Sequence, residues 1–199
     1  NVRTDNPIPC EGFIKGGNAL LPCDIAFLSC EEADESFHAR FDSCGKEYVY
    51  RINTAPVRDV FTADTAMHYP YTPDIKKMRS AAKLLVGTHD FAAFCKAEAK
   101  EHLATTVRTV YSVNVDRNGD FVEITVRGNG FLHNMVRIIV GTLIYISEGK
   151  RTEEDIVKAL SEPDRECAGK TVEPYGLYLN RVFYDKDVLM KEALNESTR

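Results

Sequence analysis

One stretch constrains this chain more than any other, residues 121–149. It opens as a strand. Val122, Ile124 and Val126 alternate with Glu123, Thr125 and Arg127, the period-two pattern of a sheet with one wet face. Gly128-Asn129-Gly130 breaks the alternation. From Phe131 the apolar residues recur at helical spacing, through Leu132, Met135, Val136, Ile139, Val140, Leu143 and Ile146. The pattern predicts a strand, a tight turn and a nearly apolar helix of about 17 residues that must be buried against a sheet. His133, Asn134 and Arg137 fall in the first two turns of that expected helix. Arginine is rarely buried without an anionic partner. The stretch therefore poses a question: what does Arg137 pair with?

The rest of the chain supplies elements around this core. A short helix is expected over Glu11 to Leu20, ended by Pro22, and a strand over Ile25 to Ser29. Lys46 to Ile52 reads as a strong strand with Tyr48 and Tyr50 on one face. Residues 53–72 lack periodicity, and a loop of that length in a compact domain is more often functional than idle. Thr72-Pro73 opens a helix that Gly87 closes. Val107, Val110 and Val113 mark a strand, and Asn118-Gly119 a hairpin turn into the strand at 121. Thr152, with Asp155 three residues on, starts another helix in the manner of a capping box. Gly176 to Tyr184 reads as a final strand, with a charged tail from Asp185 that is short helix or frayed. The order suggests an α+β fold, a mostly antiparallel sheet with helices packed on one face.

Charge and composition exclude several classes. The net charge of -5 argues against a polyanion binder held by overall charge, but a local basic groove is compatible with it. No apolar run approaches membrane-spanning length, so no membrane partner is expected. Six scattered cysteines show neither C-x-x-C spacing nor a zinc interval. They read as reduced, mostly structural thiols of a cytoplasmic protein. There is no phosphate-cradling glycine loop and no Ser-His-Asp signature. Spacing alone leaves the candidate residues open. Gly128 to Gly130 reads as a turn or as part of a site. His133 reads as a core histidine or a pocket residue, Tyr48 as a sheet-packing aromatic or a functional one, and Arg137 as a structural ion pair or a catalytic group.

Longer blocks resolve the choice by resemblance. Asn129 to Thr142 resembles the signature of the tRNA pseudouridine synthase A family. Further blocks agree in order and spacing: Asn18 to Pro22, Phe37 to Phe41 with Lys46 to Arg51, Gly87 to Phe91, and Gly176 to Leu179. The resemblance runs over nearly the whole chain. It implies the pseudouridine synthase fold, with residues 1–45 as the remainder of an N-terminal half and 46–199 as the C-terminal half of the catalytic domain. It implies an isomerase that converts uridine to pseudouridine at positions 38 to 40 of the tRNA anticodon stem-loop. The N1–C1′ bond breaks, the uracil turns, and the ring rejoins through C5, with no cofactor or metal. The family's members are homodimers that bind tRNA jointly and flip the target base out of its stack.

The resemblance also assigns residues. Arg137 matches the arginine that pairs with the family's catalytic aspartate, and Tyr48 the tyrosine that stacks on the target base and serves proton transfer at C5. Leu177 matches an apolar residue near the base. Asn129, Phe131 and His133 match positions that line the pocket. Arg40 and His38 are expected to flank it and contact the RNA backbone. Lys96, Lys100, Arg108 and Arg127 are candidates either for phosphate contacts or for plain solvated surface. The family's aspartate lies in a Gly-Arg-Thr-Asp-Ala-Gly-Val-His motif, which these residues do not contain. Asp5 follows Arg3-Thr4 but lies 13 positions before Asn18, about half the family's separation. The chain is therefore expected to be the C-terminal two-thirds or more of a synthase, inactive by itself. The alternative is a non-catalytic RNA-binding relative that retains the pocket.

Overall fold

A computed structural model describes residues 1–96, 103–162 and 164–197, with the side chains of 194–197 left aside. The chain divides into two compact units, Asn1–Asp42 and Ser43–Arg199.

The first unit holds one helix, α1 (Cys10–Leu20), with no buried residue. Beyond it the chain is extended or turning. The strand expected over Ile25 to Ser29 is absent, because the segment has no strand beside it. Instead the Asn18 side chain takes up both backbone groups of Phe27, accepting from its N–H at 2.7 Å and donating to its carbonyl at 3.0 Å. The Phe27 ring lies where a Cβ on Gly17 would stand, 2.4 Å from that position.

The second unit is built on a six-stranded sheet: β1 (Gly45–Asn53), β2 (Met67–His68), β3 (Gly87–Asp90), β4 (Val107–Asn118), β5 (Phe121–Gly128) and β6 (Leu177–Phe183). The order is β2-β1-β5-β4-β3, with β6 sharing the β2 edge of β1. All pairings are antiparallel except β1 with β2. The expected hairpin forms one residue further on: Asn118 pairs with Phe121, so Gly119 and Asp120 make the turn, Gly119 taking φ +59°. Tyr48, Tyr50 and Ile52 of β1 stand opposite Val126, Ile124 and Val122 of β5, and these alternating residues make the core face.

On that face lie α2 (Ile75–Lys83) and α3 (Met135–Ser147), which join the sheet in one apolar core. Helix α3 is buried nearly all round, as its composition requires. It is shorter than the spacing predicts. Asn134 adopts φ +63°, a left-handed conformation that asparagine tolerates better than most residues. The helix therefore begins at Met135, and His133 and Asn134 lie outside it. Helix α4 (Glu153–Ser161) starts with the Thr152–Asp155 capping box.

The α+β class holds. The last helix, α5 (Lys186–Ser197), adds a feature that pattern did not carry. It covers the opposite face of the sheet: Leu189 occupies the space a Cβ on Gly45 would take, and Gly45 alternates with Tyr48. All six cysteines are free thiols. Among the described residues no helix is long and apolar enough to cross a membrane.

Candidate active site

The site lies where α3 begins, on the core face beside β1 and β5. Its geometry depends on two glycines. A Cβ on Gly141 would come within 1.9 Å of the Lys170 carbonyl, and one on Gly169 within 2.4 Å of Gly141 backbone. The segment 168–173 can therefore cross α3 at backbone contact. Thr142 pins the crossing, its hydroxyl accepting from Gly169 N at 2.8 Å. The segment then presents two consecutive carbonyls to the site. Val172 O accepts from Arg137 Nε at 2.7 Å, and Glu173 O accepts from the Tyr50 hydroxyl at 2.6 Å.

Arg137 sits in the first turn of α3. Its Nη1 donates to Asn134 Oδ1 at 3.0 Å. The left-handed residue at the helix start thus braces the guanidinium. Two of five N–H groups are then matched, and the remaining three have no carboxylate partner among the described residues. A cation in the first turn of a helix adds to the positive end of the helix dipole. Guanidinium and helix terminus together favour an anion at this point.

Tyr48 is half-buried on the same face, two residues from Tyr50. Burial pushes its phenol above the usual range. Burial also raises Tyr50, and the Arg137 charge opposes the rise. Phe131 meets Tyr48 edge-on, with ring centroids 5.2 Å apart and planes at 86°. The Phe131 ring occupies the space left by Gly128, its Cζ 3.2 Å from where a Cβ there would be. Leu177 pairs with Tyr50 and Leu179 with Tyr48 across the β1–β6 ladder, so both leucines share this face.

The structure therefore brings Tyr48, Phe131, Arg137 and Leu177 together on one face. Asn129 is at the rim. It is exposed, and its side chain accepts from Thr109 N at 2.9 Å. His133 is also exposed, and its carbonyl accepts from Lys96 N. His38 and Arg40 belong to the unit Asn1–Asp42. There His38 Nδ1 accepts from the backbone N–H groups of Arg40 and Phe41, and its ring lies 4.3 Å from that of Phe41. Arg108 is turned onto the carbonyls of Thr105 and Val107. Lys100 lies outside the described residues. Arg127 is neither solvated surface nor a phosphate ligand: it is 6% exposed and ion-paired with Glu47 on the opposite face. Sequence reasoning gave Tyr50, Leu179 and Asn134 no place in the site. An asparagine directly before an apolar helix is the signal that would have singled out Asn134.

A family model described as tRNA pseudouridine synthase matches residues 81–185. That span includes β4, β5, all of α3 and the crossing segment. The chain belongs to the tRNA pseudouridine synthase family. It is 47% identical to tRNA pseudouridine synthase A of Bacillus pumilus over 186 residues, covering 92% of this chain and 74% of that protein. It is 48% identical to the protein of the same description from a Geobacillus species over 171 residues, 86% of this chain and 68% of the relative. For Bacillus subtilis the identity is 44% over 186 residues, again 92% and 74%.

Proposed function

We propose that this protein isomerises uridine to pseudouridine in tRNA, at positions 38 to 40 of the anticodon stem-loop, as a cytoplasmic homodimer. The family and its relatives' activity support the tRNA isomerase. The finer assignments of position, dimer and site residues rest on the matched motifs.

The observation that carries the mechanism is the state of Arg137. Its guanidinium is braced by Val172 and Asn134 and keeps three donors for an anion. A carboxylate held there is oriented bidentately and kept ionised, which suits a nucleophile for the ribose-bearing substrate. The N1–C1′ bond breaks, uracil turns, and a C5–C1′ bond forms. The C5 proton leaves and N1 gains one, so the reaction is an isomerisation with no net loss of atoms. Tyr48 offers the detached base an aromatic face and, because burial keeps its phenol neutral, a hydroxyl beside C5. Phe131 and Leu177 close the apolar sides of the pocket, and Asn129 and His133 line its rim. His38 and Arg40 supply contacts to the RNA backbone.

Tritium release from tRNA labelled at uridine C5 tests this. Arg137→Ala in the active full-length enzyme is expected to stop release while leaving the circular dichroism spectrum and tRNA binding in place. Wild-type release by this variant would reduce Arg137 to scaffold. Tight tRNA binding without release by the wild-type enzyme would favour a non-catalytic RNA-binding protein.

A further inference from the structure

On the face of the sheet opposite the site, Glu47 and Arg127 form a buried cross-strand ion pair, 4% and 6% exposed. The pair sits at an unusual row. In β6, Glu47 pairs with Arg181 but Tyr48 with Leu179, so Asn180 is an extra residue. In β4, Arg127 pairs with Ser112 but Gly128 with Val110, so Tyr111 is an extra residue. Two bulges therefore flank one row, on both sides of the β1–β5 pair. Bulges bend a strand and re-aim its side chains. The residues adjoining this row are those of the site. Tyr48 follows Glu47 directly. Gly128, which seats Phe131, follows Arg127 directly.

The charges are closely held. Asn180, the bulged residue, donates its amide to Glu47 Oε1. Arg127 Nη2 lies 3.6 Å from Glu192 of α5, and Glu192 accepts from Arg181 at 2.6 Å. Packed against the pair are thus Asn180 and Arg181 of β6, Ser112 of β4 and Glu192 of α5. A buried ion pair is a weak source of stability, since apolar replacements are often equally stable, and its better-attested use is to fix register.

We infer that the Glu47–Arg127 pair, locked by Asn180, is a positioning device that holds the row of β1 and β5 between the two bulges in one geometry and so aims Tyr48 and Phe131 at the substrate base. It rests on the proposed role of Tyr48. It acts through Tyr48 and touches no substrate.

The test replaces both charges with apolar groups, Glu47→Met with Arg127→Met, in the full-length enzyme carrying 3-fluorotyrosine. Denaturant stability and KM for tRNA are expected to stay near wild type. The kcat for tritium release is expected to fall about tenfold or more, and the fluorine signal of position 48 to shift or broaden while that of Tyr178 does not. Arg127→Lys, which keeps the charge, should recover most of kcat. A folded double variant with wild-type kcat and an unmoved signal at position 48 overturns the inference. A moved signal with wild-type kcat supports the positioning and instead removes Tyr48 from the chemistry. Should the double variant not fold, Asn180→Ala serves, since Asn180 is exposed and the ion pair remains. It is expected to lower kcat at constant stability, and unchanged kcat overturns the inference.

Discussion

The Tyr50 phenol donates a 2.6 Å hydrogen bond to the Glu173 carbonyl, one residue past the carbonyl that receives Arg137. One crossing segment therefore orients the arginine and anchors the tyrosine beside it. Tyr50→Phe removes the donor and keeps the ring. The loss should be about 1 kcal/mol, because the freed carbonyl belongs to an exposed residue and can take water. Activity should fall less than tenfold, since Arg137 retains Val172 and Asn134. Urea unfolding and tritium release measure the two effects. A Tyr50→Phe enzyme as inactive as Arg137→Ala would mean that Tyr50 itself takes part in the reaction.

Tyr48→Phe separates ring from hydroxyl. The ring remains edge-on to Phe131 and can still stack on a base. The proposed proton-transfer group is gone. Binding of tRNA is expected to stay within a factor of about two, and kcat to fall by about 10²-fold or more. Full turnover by this variant would restrict Tyr48 to packing.

Much of this was legible in the chain, and the failures share a cause. Val122, Ile124 and Val126 announce a strand because period two is local, and Thr152 announces a helix because its capping partner is three residues away. Ile25 to Ser29 looks equally like a strand, but strands need neighbours, and here Asn18 takes the backbone groups of Phe27 instead. Phe131 and Leu132 fit the helical repeat of α3, yet the left-handed backbone of Asn134 stops the helix short of them. Of the site, the motif residues Tyr48, Phe131, Arg137 and Leu177 could be read from resemblance and do share a face. Arg127 could not be placed. Its partner lies 80 positions away, and nothing near it in the chain says that it is buried.

Alkaline pH should destabilise the fold through its tyrosines. Burial raises Tyr48, Tyr50, Tyr69 and Tyr111, with Glu148 adding to Tyr69. A folded-state pKa above the unfolded value means that their contribution is fully present below the unfolded phenol pKa of about 10. It is lost as pH rises from there through the folded values, because the unfolded chain ionises first. Urea midpoints should thus be flat in this respect below about pH 9 and fall by about pH 11. Tyr50→Phe should lessen the fall. An equal fall in that variant would assign it to other groups.

Gly128→Ala tests how the aromatic pair is seated. The added Cβ would lie 2.9 Å from the Thr109 carbonyl and 3.2 Å from Phe131 Cζ. The Thr109 carbonyl, which accepts from Asn129 N, cannot move cheaply, so the backbone there is strained and the Phe131 ring must yield as well. Overpacking of this kind costs about 1–3 kcal/mol. The ring that yields is the one that meets Tyr48, so the damage reaches the site directly. Both kcat and KM should worsen, with kcat the more affected, and a Gly128→Ala, Phe131→Leu double variant, which relieves the ring but not the Thr109 contact, should recover part of the stability without recovering kcat. Recovery of both would show that Phe131 fills space and does not shape the pocket.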